Sequence, residues 1–278
     1  MCRIAAFTSD KISESTLSSI INAFIKSAQH DAYLLRVTNG KYSTHDDGWG
    51  IAATGLIKNN PTTAHYKSID PIFYESSTRV LSLFLRKIVN YQPVYVILHA
   101  RKSSASEPFG LEYAHPFMML SSNGAAWFAH NGGAKKKILA EKLGVFPWTR
   151  VDSELLGYHV MNNILSCAEN DENLDKCVAE TYIESKEYIV EGSALNTTLL
   201  LLWRNKPHLY ITYWVKEPVN EAIRDYYEIV VYRTSNMILA GSISIRDHLS
   251  LDVIHDSWIL EPGVYELSPG EIRKLTDL

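Results

Sequence analysis

The segment Val94-Tyr95-Val96-Ile97-Leu98 is a continuous apolar run, rich in β-branched residues, that stops at His99-Ala100-Arg101. A run this short with no polar alternation fits a central strand buried on both faces. Further strands are expected at Cys2 to Phe7, Gly48 to Ala53 and Ala125 to Ala129. A second group follows at Thr197 to Trp203, His208 to Trp214, Glu228 to Arg233, Met237 to Ala240 and Val264 to Leu267. Helical periodicity separates the two groups. Ser13 or Ser15 caps a helix with Leu17, Ile20, Ile21, Phe24, Ile25 and Ala28 on one face. Val80, Leu81, Phe84, Leu85 and Ile88 mark a second helix, from Ser76 to Val89. Lys135 to Leu143, Asp152 or Ser153 to about Cys167, and Asp171 to about Tyr188 are the others. Thr38 to Asp47 reads as turn-rich, and Lys216 to Tyr226 as a polar, less regular and mobile connection. Two groups of strands with paired helices between them argue against a doubly wound parallel sheet and for sheets covered by helices.

Composition narrows the function classes. With 278 residues and 46% apolar content the chain supports a sizeable core, and no repeat, low-complexity tract or linker divides it, so one domain over 1–278 is expected. A net charge of -4 gives no reason to expect a nucleic-acid partner, and the basic run Lys135-Lys136-Lys137 reads as the solvated start of a helix. Three cysteines (Cys2, Cys167 and Cys177) argue against a disulfide framework. The longest apolar runs fall far short of a membrane span and no apolar leader precedes Cys2. A cytoplasmic protein without a membrane partner is expected.

Cys2 carries the most chemistry. Once Met1 is removed, which a small second side chain permits, the residue holds a thiol and a free α-amine on one carbon framework. An α-amine titrates near ~8, so a useful fraction is neutral at cellular pH and can take the thiol proton directly or through one water. Three strand ends or turns add complementary groups. Arg101 offers a planar fork for a carboxylate, or else a structural salt bridge. Asp152, at a helix start, suits an ammonium group, or else caps the helix in Val-Asp-Ser-Glu. Asn131-Gly132 can aim a side-chain amide and a backbone N–H at one oxygen, or else form a hairpin turn. His99, His115 and His130 are too widely separated to read as a metal site.

The segments Met1-Cys2-Arg3, Asp47-Gly48-Trp49-Gly50, His99-Ala100-Arg101, His115-Pro116-Phe117, His130-Asn131-Gly132 and Asp152-Ser153-Glu154 occur in the order and approximate spacing of class II glutamine amidotransferases. The chain resembles the stand-alone branch of that N-terminal nucleophile hydrolase family, where Met-Cys-Arg replaces Met-Cys-Gly. The motifs lie within residues 2–155, and the strand-rich remainder to 278 resembles the family only in strand content and in an ending like Glu261-Pro262-Gly263 to Gly270.

The resemblance implies an α+β fold, the four-layer αββα N-terminal nucleophile hydrolase sandwich. It implies that Cys2 is the nucleophile with its own α-amine as base, and that Asn131 and Gly132 form the oxyanion hole. Arg101 would bind the α-carboxylate of glutamine and Asp152 its α-ammonium, while His99, His115 and His130 would hold the surrounding loops. The implied reaction cleaves the γ-amide of glutamine through a γ-glutamyl thioester and releases ammonia, with no metal or organic cofactor. The chain is too short for a fused acceptor domain, so a separate ammonia-acceptor synthase or transferase subunit is one expected partner. The alternatives are an independent hydrolase of γ-glutamyl amides or peptides, and a non-catalytic glutamine-binding regulatory subunit. Two positions depart from the family pattern: Lys102, where many members carry an apolar or aromatic residue, and Ser9, where relatives often have Gly.

Overall fold

Along the first strand, β1 (Arg3–Ser9), every residue is buried, yet successive side chains face different layers. Ala5 and Phe7 join one apolar cluster and Ile4 and Ala6 another, as the period of two requires. The computed structural model describes residues 1–104, 107–170, 173–250 and 254–278. After β1 come α1 (Glu14–Gln29), α2 (Ala32–Val37), the hairpin β2 (Trp49–Ile57) and β3 (Asn60–Ser68), and α3 (Glu75–Ile88). The central run forms β4 (Val94–Ala100), followed by β5 (Phe117–Ser121) and β6 (Gly124–Asn131). Three helices, α4 (Lys136–Leu143), α5 (Asp152–Asn170) and α6 (Leu174–Ser185), precede β7 (Asn196–Trp203) and β8 (Lys206–Tyr213). The chain ends with α7 (Glu221–Tyr227), β9 (Ile229–Arg233), β10 (Met237–Ser242), β11 (Asp256–Ile259), β12 (Gly263–Ser268) and β13 (Glu271–Thr276).

The strands form two antiparallel sheets, ordered β11-β9-β10-β1-β4-β2-β3 and β13-β12-β8-β7-β6-β5. Val94, Val96 and Leu98 of β4 pack with Leu17, Ile21 and Phe24 of α1 and Leu81 of α3. On the same strand Tyr95 and Ile97 face the second sheet, meeting Ala125, Trp127, Leu200 and Ile211. Ala126 and Phe128 of β6 point the other way, onto Leu155, Leu156 and Val160 of α5. The layers are therefore helix, sheet, sheet, helix. This is the four-layer α+β sandwich expected from the resemblance, with its apolar sheet-to-sheet centre.

Four strands lie outside the sequence expectations: β3, β5, β11 and β13. All four are sheet edges. An edge strand leaves half its surface to solvent, and Asn60–Ser68 and Glu271–Thr276 have scarcely a fully buried position. The short helix α2 was hidden in the same way, since only Leu34 in it is buried. The stretch Lys216 to Tyr226, read as a mobile connection, is instead tied down. It contains most of α7, capped by Asn220 onto the Ile223 N–H, with ion pairs Arg224–Glu217 and Arg36–Asp225. Tyr226 and Tyr227 at its end are 1% and 7% exposed.

The cysteine reading needs a correction. Cys167 and Cys177 are joined by a disulfide that links the end of α5 to α6, leaving Cys2 as the free cysteine. A small cysteine count excludes a framework of bridges but not one local clamp between adjacent helices. The expected helix start at Asp171 lies outside the described residues. No helix among the described residues is long and apolar enough to cross a membrane.

Candidate active site at the N-terminus

Cys2 sits immediately before the β1–β4 ladder, which begins with Arg3 opposite Ala100. Its backbone N–H donates to Asn131 Oδ1 at 2.9 Å, and Tyr226 Oη donates to its carbonyl at 3.1 Å. Met1 is present, so Cys2 N is a peptide nitrogen here; it stands where the α-amine would be in a chain beginning at Cys2. The Met1 ammonium donates to the Lys102 carbonyl at 2.9 Å, and Cys2 Sγ lies 3.9 Å from the same oxygen. The thiol is buried, with the residue 7% exposed.

Asn131 closes β6 opposite Asn196 of β7 rather than opening a hairpin. Its carboxamide oxygen is used by Cys2, while Asn131 Nδ2 is buried without a partner. An unmet buried donor is costly, on the order of 1–3 kcal/mol, and such a group on a carboxamide that touches Cys2 suits a developing oxyanion. Gly132 follows because nothing larger fits. A Cβ there would come within 1.9 Å of the Ala194 carbonyl and 2.5 Å of His130 Nε2. His130 braces this corner, with Nε2 3.0 Å from the Ala194 carbonyl and Nδ1 2.9 Å from the Ser153 hydroxyl. A carbonyl only accepts, so Nε2 carries the proton.

Arg101 leaves the end of β4 and makes no salt bridge among the described residues. Arg101 Nη2 donates to Ser103 Oγ and the Pro108 carbonyl, each at 3.0 Å, while Nη1 is buried and unpartnered. The guanidinium thus keeps half its fork free, as a carboxylate ligand requires. Asp47 holds the turn: its N–H donates to the Arg101 carbonyl, and its Oδ2 accepts from Ser103 N at 2.7 Å. Gly50 lets β2 come close, since a Cβ there would sit 2.1 Å from the His115 carbonyl. Lys102, the departure from the family pattern, turns its side chain to Asp46 at 2.6 Å and offers only its carbonyl to the chain end.

Asp152 begins α5. Its Oδ2 accepts from Ala134 N at 2.8 Å and its Oδ1 from Ser153 N at 2.6 Å, so it organises the turn after Gly132 as well as the helix start. It stands 3.8 Å from where a Gly133 Cβ would be, which joins it to the Asn131-Gly132 corner. Glu107 was not singled out from the sequence, yet it feels the charges of both Asp152 and Arg101 and pairs with Lys136 at 2.8 Å. Burial raises its pKa. The five expected residues therefore converge on one corner, where β4 and β6 end and β1 and α5 start. Among the described residues no group of three His, Cys, Asp or Glu side chains is arranged to hold a metal ion. A cleft of about 590 Å³ lies elsewhere, between Ser9 and Asn236 at the far end of β1, and contributes none of these residues.

The family model of the class II glutamine amidotransferases matches residues 27–202, more than half of the chain. The chain belongs to the class II glutamine amidotransferases. The match takes in Arg101, Asn131, Gly132 and Asp152 and begins after Cys2. Among solved structures the chain is similar to the allosteric regulatory enzyme of purine biosynthesis, with 13% identity and a TM-score of 0.56 over 99% of this chain. It spans 49% of that longer protein, about half its length. A predicted glutamine amidotransferase from Pseudomonas aeruginosa aligns over 98% of this chain and 95% of its own at 13% identity and a TM-score of 0.46. No curated protein sequence matches the chain.

Beneath Cys2 lies a buried polar chain that the sequence reading missed. Arg3 Nε pairs with Asp31 Oδ2, Arg3 Nη1 donates to the Tyr226 carbonyl at 2.9 Å, and His45 Nε2 lies 2.7 Å from Asp31 Oδ2. Burial would push the Asp31 carboxyl up, but the charge of Arg3 and the bonds from His45 and Arg3 hold it down. A charged residue inside an apolar strand must find a partner, so Arg3 in Cys2-Arg3-Ile4-Ala5 was the available signal. Four buried histidines surround this region and all titrate low because burial disfavours their charged form. His45 is pushed down to about 4, His99 and His115 well below the usual value, and His130 in the same direction. A lowered folded pKa means that the unfolded chain takes up protons first, so stability is present above pH ~6.5 and lost as pH falls toward 4. Each such group contributes a slope of ~1.4 kcal/mol per pH unit. Urea unfolding midpoints should therefore hold steady from pH 8 to 7 and fall steeply between 6.5 and 4.5. A flat profile to pH 4.5 would mean that these imidazoles are not held neutral by the fold.

Proposed function

We propose that this chain hydrolyses the γ-carboxamide of glutamine, with Cys2 as nucleophile after removal of Met1. The observation that carries the reading is the contact between Cys2 N and Asn131 Oδ1, which leaves Nδ2 of the same carboxamide buried and unpartnered. In the proposed reaction the α-amine takes the thiol proton and Sγ attacks the γ-amide carbon. Asn131 Nδ2 and the Gly132 N–H stabilise the resulting oxyanion. Collapse breaks the C–N bond, the α-ammonium returns its proton to the nitrogen, and ammonia leaves. Water then attacks the γ-glutamyl thioester, releases glutamate and regenerates the thiol. The two charges of the amino-acid head group are assigned to Arg101 and Asp152. The free Nη1 of Arg101 supports that assignment, and the placement of Asp152 beside Gly133 is compatible with it.

Ammonia in this family suggests an acceptor, here proposed as a separate synthase or transferase subunit. The purified chain incubated with L-glutamine should yield glutamate and ammonia in equal amounts. N-acetyl-glutamine should react at least ~100-fold more slowly in kcat/KM, because loss of the ammonium leaves a carboxylate unpaired in a dry site. Comparable rates for the two substrates would refute the head-group clamp. Fast turnover of γ-glutamyl amides with little on glutamine would instead establish an independent hydrolase, and no turnover of any of them a binding subunit.

A further inference from the structure

Removing Met1 would make Cys2 the chain terminus, and a terminal residue frays unless something ties it down. The strand ladder does not, since the pairing of β1 with β4 starts at Arg3 and its pairing with β10 at Ala5. The Met1 ammonium bond to Lys102 would be lost with Met1. Two side chains then hold the main chain of Cys2: Asn131 on its nitrogen and Tyr226 on its carbonyl oxygen.

We propose that Tyr226 is a positioning residue for the nucleophile, its hydroxyl fixing the Cys2 carbonyl so that thiol and α-amine keep one orientation toward Asn131. The inference rests on Cys2 being the nucleophile. Tyr226 is itself rigidly placed. Its ring lies under the Arg3 guanidinium, 4.1 Å from centroid to Cζ, and its carbonyl accepts from Arg3 Nη1. Arg3 is held in turn by Asp31, whose Oδ1 also accepts from Tyr33 N and Leu34 N at the start of α2. The residue next to the nucleophile thus reaches back, through Tyr226, to hold the nucleophile's own backbone. Burial raises the Tyr226 phenol well above its usual range, so it remains a donor at every working pH. Reacting groups need placement within about 0.5 Å for full effect. Without this bond the only rotatable link between Cys2 and the ladder is unrestrained on its carbonyl side.

The test is Tyr226→Phe, which keeps the ring over Arg3 and removes one hydroxyl. With L-glutamine, kcat should fall roughly 10- to 100-fold and KM stay within about twofold, the pattern of a misplaced but intact catalytic group. Tyr182→Phe is the control. It deletes an equally buried hydroxyl that bonds Thr197 at 2.7 Å rather than Cys2, and should leave kcat unchanged. Equal kcat losses in the two variants, or no loss in Tyr226→Phe, would overturn the proposal. The carbonyl 13C resonance of Cys2 in labelled protein reads the hydrogen bond without catalysis. It should shift in Tyr226→Phe and not in Tyr182→Phe, and an unmoved resonance would also overturn the proposal. A wild-type chain inert toward glutamine would refute the proposed function alone, with the resonance still deciding the role of Tyr226. If Tyr226→Phe does not accumulate folded, Arg3→Lys, which loses the bond to the Tyr226 carbonyl, should move the same resonance and lower kcat in the same sense.

Discussion

Cys2→Ala is expected to lose at least ~10⁴-fold in kcat toward glutamine, the scale seen when the nucleophile is taken from a set of residues that act as a unit. A preparation that retains Met1 should be equally inactive although its thiol is intact, because the amine that serves as base would be tied up in a peptide bond. Intact-mass measurement reports which N-terminus is present, and activity should track the fraction beginning at Cys2. Full activity with Met1 quantitatively retained would end the self-activating mechanism. An electrophilic glutamine analogue should add once, at Cys2. The disulfide removes the other two cysteines from competition, so a second adduct would require that bridge to be absent.

The second large effect belongs to Asn131. Asn131→Ala should lower kcat by about 10²–10³-fold, roughly 3–4 kcal/mol, the usual cost of losing one oxyanion donor. The side chain has two jobs in the structure, and a second substitution separates them. Asn131→Asp keeps an oxygen for the Cys2 nitrogen but loses the unpartnered donor and sets a negative charge where the oxyanion would form. It should therefore be no better than the alanine variant. Near wild-type kcat in Asn131→Asp would assign the residue to holding the N-terminus alone. A change confined to KM in either variant would remove the oxyanion role.

The parts of the molecule that were legible beforehand are those where burial leaves a period in the sequence. β1, β4, β6 and β7 are covered on both faces, so their apolar runs stand out, and α1 and α3 carry one apolar stripe each. The edge strands β3 and β13 and the helix α2 leave too few residues in a core for any period to show. The same logic divides the site. Cys2, Arg101, Asn131, Gly132 and Asp152 sit at the ends of legible elements or in the turns after them, within recognisable short motifs. Tyr226 ends a short polar helix and Glu107 lies in a loop, and the relevance of each comes from distant neighbours in the chain, Cys2 for Tyr226 and Asp152 for Glu107.

By itself the sequence determined which residues are candidates for chemistry, that sheets are covered by helices and, through the family resemblance, the layered αββα class, because residue type, short motifs and local period are properties of short segments. Tertiary structure decided how that chemistry is held. It gave the Asn131 oxygen to Cys2 and left the nitrogen free, paired Cys167 with Cys177, and brought Tyr226 from a polar stretch to the carbonyl of Cys2. These outcomes depend on the partners that antiparallel pairing and sheet stacking bring together. A hydrogen bond reaches about 3 Å in space whatever the distance along the chain, and no local pattern encodes its other end.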